Sequence, residues 1–191
     1  MNRQDWLNKV KVLLPERPIC IELGVYRGEF SKMILYTLTP LFLYLIDPWE
    51  EGSDKNSAPK YEGDLSGLKT AYSIVDDLRI VMGRFAEEIA RGQVIIKRAY
   101  SYDAFKTITY YHSFPIFDFI YIDSCHYYNS VKADLNDYLP KLKEGGLMCL
   151  HDYGGSFEGV KRAVDEFMIE QGFSMVLLSD EGDIALKKIK R

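Results

Sequence analysis

Apolar residues in this chain come in short runs, interrupted only by Glu22 and Asp118, rather than in alternation with polar ones: 19–23, 41–46, 94–96, 117–122, 147–150, 175–178 and 184–186. A strand with one wet face alternates, whereas a strand covered on both faces does not. Seven such runs predict a sheet sandwiched between helices, and segments of helical period lie between them. Phe30, Met33 and Ile34 form one stripe, and Leu68, Ala71, Tyr72, Val75 and Met82 a second. Val131, Leu135, Tyr138, Leu139 and Leu142 form a third, and Val160, Ala163, Val164, Phe167 and Met168 a fourth. Ser101 is placed to cap a short helix through Ala104, Phe105 and Ile108, and Gly92 and Gly172 stand where helices should stop. Alternating strands and helices predict a doubly wound α/β fold. Only Ser179-Asp180-Glu181-Gly182-Asp183 separates the last two runs, too little for a crossover. They should therefore form an antiparallel hairpin at one edge of a mixed seven-stranded sheet.

These elements use up most of the 191 residues, which suits a single domain over 1–191. Residues 1–18 are an N-terminal extension. The polar, turn-rich stretch 50–64 has no period, as befits a lid or substrate loop. A net charge of −4 offers no broad cationic footprint, so nucleic acid is not an expected partner. The most apolar stretch, 33–46, is interrupted by Thr37, Thr39 and Pro40 and cannot span a bilayer, so no membrane partner is expected either. Cys20, Cys125 and Cys149 match no zinc spacing and cannot all pair, which points to a reducing, cytoplasmic setting. The basic tail Lys187-Lys188-Ile189-Lys190-Arg191 and the isolated His112 carry no assigned function.

In open α/β sheets, ligands bind beyond the carboxyl ends of the strands. Read in order, those ends are Glu22-Leu23-Gly24, Asp47-Pro48-Trp49, Arg98-Ala99-Tyr100-Ser101, Asp123-Ser124-Cys125-His126 and His151-Asp152-Tyr153. Charges at the ends of apolar runs are costly unless paired, solvated or used, so acidic residues repeated along one rim mark the site. Gly24 and Gly28 permit a tight turn and a close backbone approach to a ligand, but they do not make the G-x-G-x-x-G of a dinucleotide site. A ligand without phosphates is favoured. Asp47 closes the second run roughly 20 residues on, where a carboxylate accepts ribose hydroxyls. The bland alternative leaves the glycines as a turn and Asp47 as a helix cap.

Glu22-Leu23-Gly24-x-x-x-Gly28, Tyr44-Leu45-Ile46-Asp47-Pro48-Trp49, Phe117-Asp118-Phe119-Ile120-Tyr121-Ile122-Asp123-x-x-His126, Leu142-Lys143-Glu144-Gly145-Gly146 and His151-Asp152-Tyr153 follow one another in order. Together they resemble a class I S-adenosylmethionine-dependent methyltransferase with a Rossmann-like sheet, nearest the small-molecule O-methyltransferases of the macrocin, sugar-modifying type. The resemblance implies S-adenosyl-L-methionine as cofactor, with Glu22, Gly24 and Gly28 around its methionine part. It also implies Asp47 on the ribose, Pro48 beside the adenine, Tyr100 and Ser101 at the adenine edge, and Asp123 in contact with the cofactor. Many relatives carry Asp where Tyr100 stands.

By the same resemblance, Asp123 and Asp152 would hold Mg²⁺ or another divalent metal against an acceptor oxygen, hard oxygen donors suiting that ion. His151 would complete the shell for a transition metal rather than for Mg²⁺. His126 is the preferred general base, because an imidazole titrates near neutrality. The implied partner is a small-molecule hydroxyl acceptor, a sugar or another metabolite. Trp49, Tyr61, Tyr127, Tyr128 and Tyr153 are available to line its pocket, and specificity falls to the 50–64 loop or to a neighbouring subunit of a homo-oligomer. Two other readings stay open: a non-catalytic cofactor-binding member, and a nicotinamide-dependent oxidoreductase on a similar sheet.

Overall fold

β-branched and aromatic runs become strands wherever helices can cover both of their faces. The computed structural model describes residues 1–50, 71–111 and 116–188. In chain order the elements are α1 (Arg3–Leu13), β1 (Ile19–Leu23), α2 (Glu29–Leu38), β2 (Phe42–Asp47), α3 (Ala71–Arg84) and α4 (Ala86–Ala90). These are followed by β3 (Val94–Arg98), α5 (Ser101–Tyr111), β4 (Phe117–Ile122) and α6 (Tyr128–Tyr138). A 3₁₀ turn (Leu139–Lys141), β5 (Leu142–Leu150), α7 (Glu158–Gln171), β6 (Phe173–Leu178) and β7 (Ile184–Lys188) complete the fold. The 7-stranded sheet runs β3-β2-β1-β4-β5-β7-β6. The pairs β3–β2, β2–β1, β1–β4 and β4–β5 are parallel, and β7 is antiparallel to both β5 and β6. The doubly wound α/β fold and its terminal antiparallel hairpin are as the apolar runs predicted.

Order reverses beside β1, so the carboxyl ends of β1, β2 and β4 converge on one crevice. Every residue of β4 is buried, including Asp118, which accepts the amide of Ile19 at 2.8 Å and Lys143 Nζ at 2.9 Å. One face of the sheet packs Trp6, Leu7, Val10, Phe30, Ile34 and Phe85. The opposite face packs Ile108, Leu135, Tyr138, Val164 and Phe167.

Local departures from the predicted elements have local causes. Leu142 continues the periodicity of α6 but begins β5, because Pro140 removes an amide donor and the chain turns through the 3₁₀ segment. Ser101 is the first residue of α5, and its hydroxyl donates to Asp134 at 2.6 Å. Gly172 ends α7 with φ +69°, as predicted. On α3, Val81 is fully buried while Met82 is exposed. The helix α1, within the N-terminal extension, is capped by Asn2, whose side chain accepts the Asp5 amide at 2.8 Å, and it buries Trp6, Leu7 and Val10. Leu68 and the 51–64 part of the predicted loop, with Tyr61, lie outside the described residues, as do His112 and the last three residues. Cys20, Cys125 and Cys149 form no disulfide among the described residues. Among the described residues no helix is long and apolar enough to cross a membrane.

Candidate active site

A cleft of about 780 Å³ opens at the carboxyl ends of β1, β2, β3 and β4. Its wall includes Glu22, Gly24, Asp47, Pro48, Tyr100, Ser101, Asp123 and His126, which brings together eight of the residues singled out in the sequence. Asp152 stands behind His126.

Gly24 has φ +86°, and a Cβ there would lie 2.0 Å from the carbonyl oxygen of Asp123. Its bareness therefore serves a backbone crossing where β1 and β4 emerge side by side. Gly28 begins α2 with φ +76° and faces the Phe85 ring, to which an added Cβ would come within 2.9 Å. It does not line the cleft.

Asp47 joins the two loops next to it. One carboxylate oxygen accepts the amides of Val25 at 2.9 Å and Tyr26 at 3.0 Å, and the other accepts the Trp49 amide at 2.8 Å. Trp49 returns the connection by donating its indole N–H to the Tyr26 carbonyl at 2.8 Å. A carboxylate has about four acceptor positions, so about one remains for a ribose hydroxyl. Tyr26 and Trp49 both hold positive φ, at 53° and 38°, and this bonding is what overdetermines their backbone. Arg98 ties the Pro48 carbonyl at 3.0 Å and the Trp49 carbonyl at 2.9 Å to the end of β3.

Glu22 is buried in the cleft wall with Ser31 Oγ donating to it at 2.5 Å. Burial pushes its carboxyl up to about 8. A buried carboxyl this poorly compensated fits a cationic ligand, as the ammonium of a methionine moiety would be. At the opposite end, Tyr100 stacks on Tyr102 with ring centroids 5.9 Å apart. The hydroxyls of Ser101 and Ser124 are both spent on Asp134, each at 2.6 Å. Asp134 went unnoticed in the sequence because it sits inside the helical pattern of α6.

The ends of β4 and β5 carry the titratable cluster. His126 Nε2 contacts Asp152 Oδ2 at 2.7 Å and lies 3.9 Å from Asp123 Oδ1. His151 Nδ1 is 3.2 Å from Asp152 and 3.7 Å from Asp123. Burial pushes the Asp123 carboxyl up to about 6, against the pull of His151 and Arg3. Burial also disfavours the Asp152 anion, but hydrogen bonds from His126 and His151 outweigh it and hold that carboxyl well below the usual range. His151 is raised in turn: burial disfavours its cation, and the Asp152 bond and the Asp123 charge more than offset this. Asp152 occupies the left-handed region at φ +60°, a strained backbone conformation. Phe157 stacks on the His126 ring at 4.2 Å and fixes its plane.

One ligand atom from each of Asp123, His126 and Asp152 can be chosen so that all lie within 4.8 Å of one another. The mixed oxygen and nitrogen donors fit a divalent cation, with the imidazole favouring a transition metal. Of the aromatic residues proposed for an acceptor pocket, Trp49 lines the cleft, whereas Tyr128 and Tyr153 are bonded to Glu166 and Asp165 on α7.

Residues 21–153 match the family described as methyltransferase domain. The chain belongs to that family. The chain is thus a methyltransferase dependent on S-adenosylmethionine. No curated protein matches the chain in sequence. Among solved structures, the O-methyltransferase NovP is 18% identical, with a TM-score of 0.66 over 98% of this chain and 80% of its own. CalS11, a TDP-rhamnose 3'-O-methyltransferase of calicheamicin biosynthesis, is 14% identical, with a TM-score of 0.63 over 98% of this chain and 78% of its own. An rRNA methylase from Streptococcus thermophilus, 14% identical, has a TM-score of 0.57 over 98% of this chain and 94% of its own. At these identities the likeness is one of fold, and a fold shared by sugar and RNA enzymes does not choose the acceptor.

Proposed function

We propose that this methyltransferase methylates a hydroxyl group of a small molecule, of the sugar or glycosylated-metabolite class, with His126 as general base. The observation that carries the reading is the 2.7 Å contact between His126 Nε2 and Asp152 Oδ2, made by an imidazole that also lines the cofactor cleft. A carboxylate on one ring nitrogen fixes the tautomer and leaves the other nitrogen to accept a proton. Phe157 holds the ring plane, and Asp152 offsets the imidazolium that forms as the acceptor oxygen loses its proton. The cofactor supplies a methyl group on a sulfonium sulfur. Glu22 would hold its cationic end, and Asp47, through the loops it joins, would shape the pocket for its ribose. Support for a small hydroxylated acceptor comes from the net charge of −4, which offers no broad cationic footprint, and from the aromatic wall of Tyr26, Trp49 and Tyr100.

A second reading rests on the clustered ligand atoms of Asp123, His126 and Asp152. In it the same three residues hold a divalent cation, which would lower the pKa of a bound acceptor hydroxyl. Chelation separates the two. With a panel of sugars and catechols, base catalysis predicts O-methyl product that survives exhaustive chelation, and a pH–rate profile that loses its acid limb in His126→Ala. Activity abolished by chelator and restored by Mn²⁺ or Mg²⁺ transfers the three side chains to the metal. Methylation of ribosomal RNA with no turnover of small hydroxyl compounds would sink the acceptor class.

A further inference from the structure

Among the described residues, one guanidinium lines the cofactor cleft. Arg3 projects from the first turn of α1 into a wall whose other charged members include Glu22, Asp47, Asp77, Asp123 and Asp134. A cation at a helix N-terminus opposes the helix dipole, so its position needs a reason outside the helix. Part of the reason is structural. Nε lies 2.9 Å from Asp183 Oδ1, Nη2 donates to the Tyr121 hydroxyl, and the guanidinium lies 4.0 Å over the Phe30 ring. The Arg3 amide donates to Glu181 at 3.0 Å, and the Met1 carbonyl accepts the Asp180 amide at 2.9 Å, so α1 is moored to the turn between β6 and β7. Those contacts do not exhaust the side chain. Asp123 Oδ2 is 3.8 Å away, too far for a hydrogen bond, and the buried Nε, although close to Asp183, makes no hydrogen bond of good geometry among the described residues.

The cleft also has a direction. Tyr100, Ser101 and Asp134 lie at the β3 and α5 end, whereas Arg3, Glu22 and Phe30 lie at the β1 and β4 end. A buried carboxyl and a fixed guanidinium at one end complement an ammonium and a carboxylate borne on the same carbon. We infer that Arg3 binds the α-carboxylate of the cofactor's methionine moiety, opposite the ammonium held at Glu22, so that α1 forms one wall of the cofactor site. The inference rests on the cofactor assignment and deepens it. Planar donors suit a carboxylate, and closing the charge pair also relieves the partial contact with Asp123.

The test is calorimetric binding of two cofactor fragments to the full-length chain. S-adenosylhomocysteine carries the amino acid end, and 5'-methylthioadenosine lacks it. Arg3→Gln should weaken S-adenosylhomocysteine about 10- to 100-fold and leave methylthioadenosine within about twofold. Equal losses for both ligands would make Arg3 a scaffold for the pocket, and no loss for either would remove it from the site; each result overturns the inference. Should Arg3→Gln not fold, Arg3→Lys keeps a cation and must still narrow the preference for S-adenosylhomocysteine over its decarboxylated analogue. In the unaltered protein that analogue must bind at least about tenfold more weakly than S-adenosylhomocysteine, and equal binding refutes the carboxylate contact. If neither S-adenosylhomocysteine nor methylthioadenosine binds the unaltered protein, the cofactor assignment itself fails.

Discussion

The rim at β1 and β2 and the rim at β4 and β5 both end in carboxylates, yet they treat the charge in opposite ways. Asp47 spends its carboxylate on three backbone amides, which makes it a joint between two loops. Asp123 and Asp152 meet side chains instead, two imidazoles and a distant guanidinium. Backbone amides cannot leave or change charge, so the first rim is a fixed mould. Imidazoles can exchange protons, which is what the proposed base chemistry asks of the second rim. An acidic residue at a strand end is a site signal in both cases, but only its partners say which kind.

The largest effect should come from the crossing between the two rims. Gly24→Ala places a methyl group on the Asp123 carbonyl and strains a positive φ, and it should cost about 3 kcal/mol or more or prevent folding, as measured by urea denaturation. A soluble variant with unchanged midpoint would show that the rims are not rigidly joined. At the reactive rim, Asp152→Asn should lower kcat/KM by about 100-fold while S-adenosylhomocysteine binds within about twofold. Loss of binding to the same degree would merge the two regions into one.

At the mould, Asp47→Ala frees three amides and should destabilise the fold by about 2 kcal/mol and abolish cofactor binding. Asp47→Asn, keeping one acceptor oxygen, should fall between. Glu22 gives the comparison a pH signature. A carboxyl raised in the folded state binds a proton that the unfolded chain has lost, so apo stability declines as pH rises from its ordinary 4.5 towards about 8. Glu22→Gln should remove that slope, raising the apo melting temperature by about 3 °C at pH 8 with little change at pH 4. A parallel slope in the variant would remove Glu22 as its source. The smallest effect belongs to Gly145, whose φ is +79° but whose Cβ would meet nothing. Gly145→Ala should cost about 1 kcal/mol with transfer unaffected, which isolates backbone strain from the crowding at Gly24.

Much of this was legible in the chain because it is local. Short apolar runs announce buried strands, Gly172 announces a helix end, and a five-residue gap announces a hairpin. What escaped was non-local. Arg3 belongs to a helix that buries only Trp6, Leu7 and Val10, a stripe too short to stand out, and its target is on β4. Asp134 looks like one polar residue of an amphipathic helix until Ser101 and Ser124 are seen to point at it. Gly28 was read as cofactor-facing because a glycine signals close approach without naming what approaches, here the Phe85 ring.

The chain's own pattern determined the sheet, its covering on both faces, the closing hairpin and the strand ends at which polar groups must gather. Periodicity and turn chemistry act over a few residues, and each residue type reports them directly. Only the tertiary structure decided which of those groups are mortar and which are free to react. Hydrogen-bond partners come from distant segments, and the fate of a charge depends on whether an amide, an imidazole or a guanidinium arrives beside it.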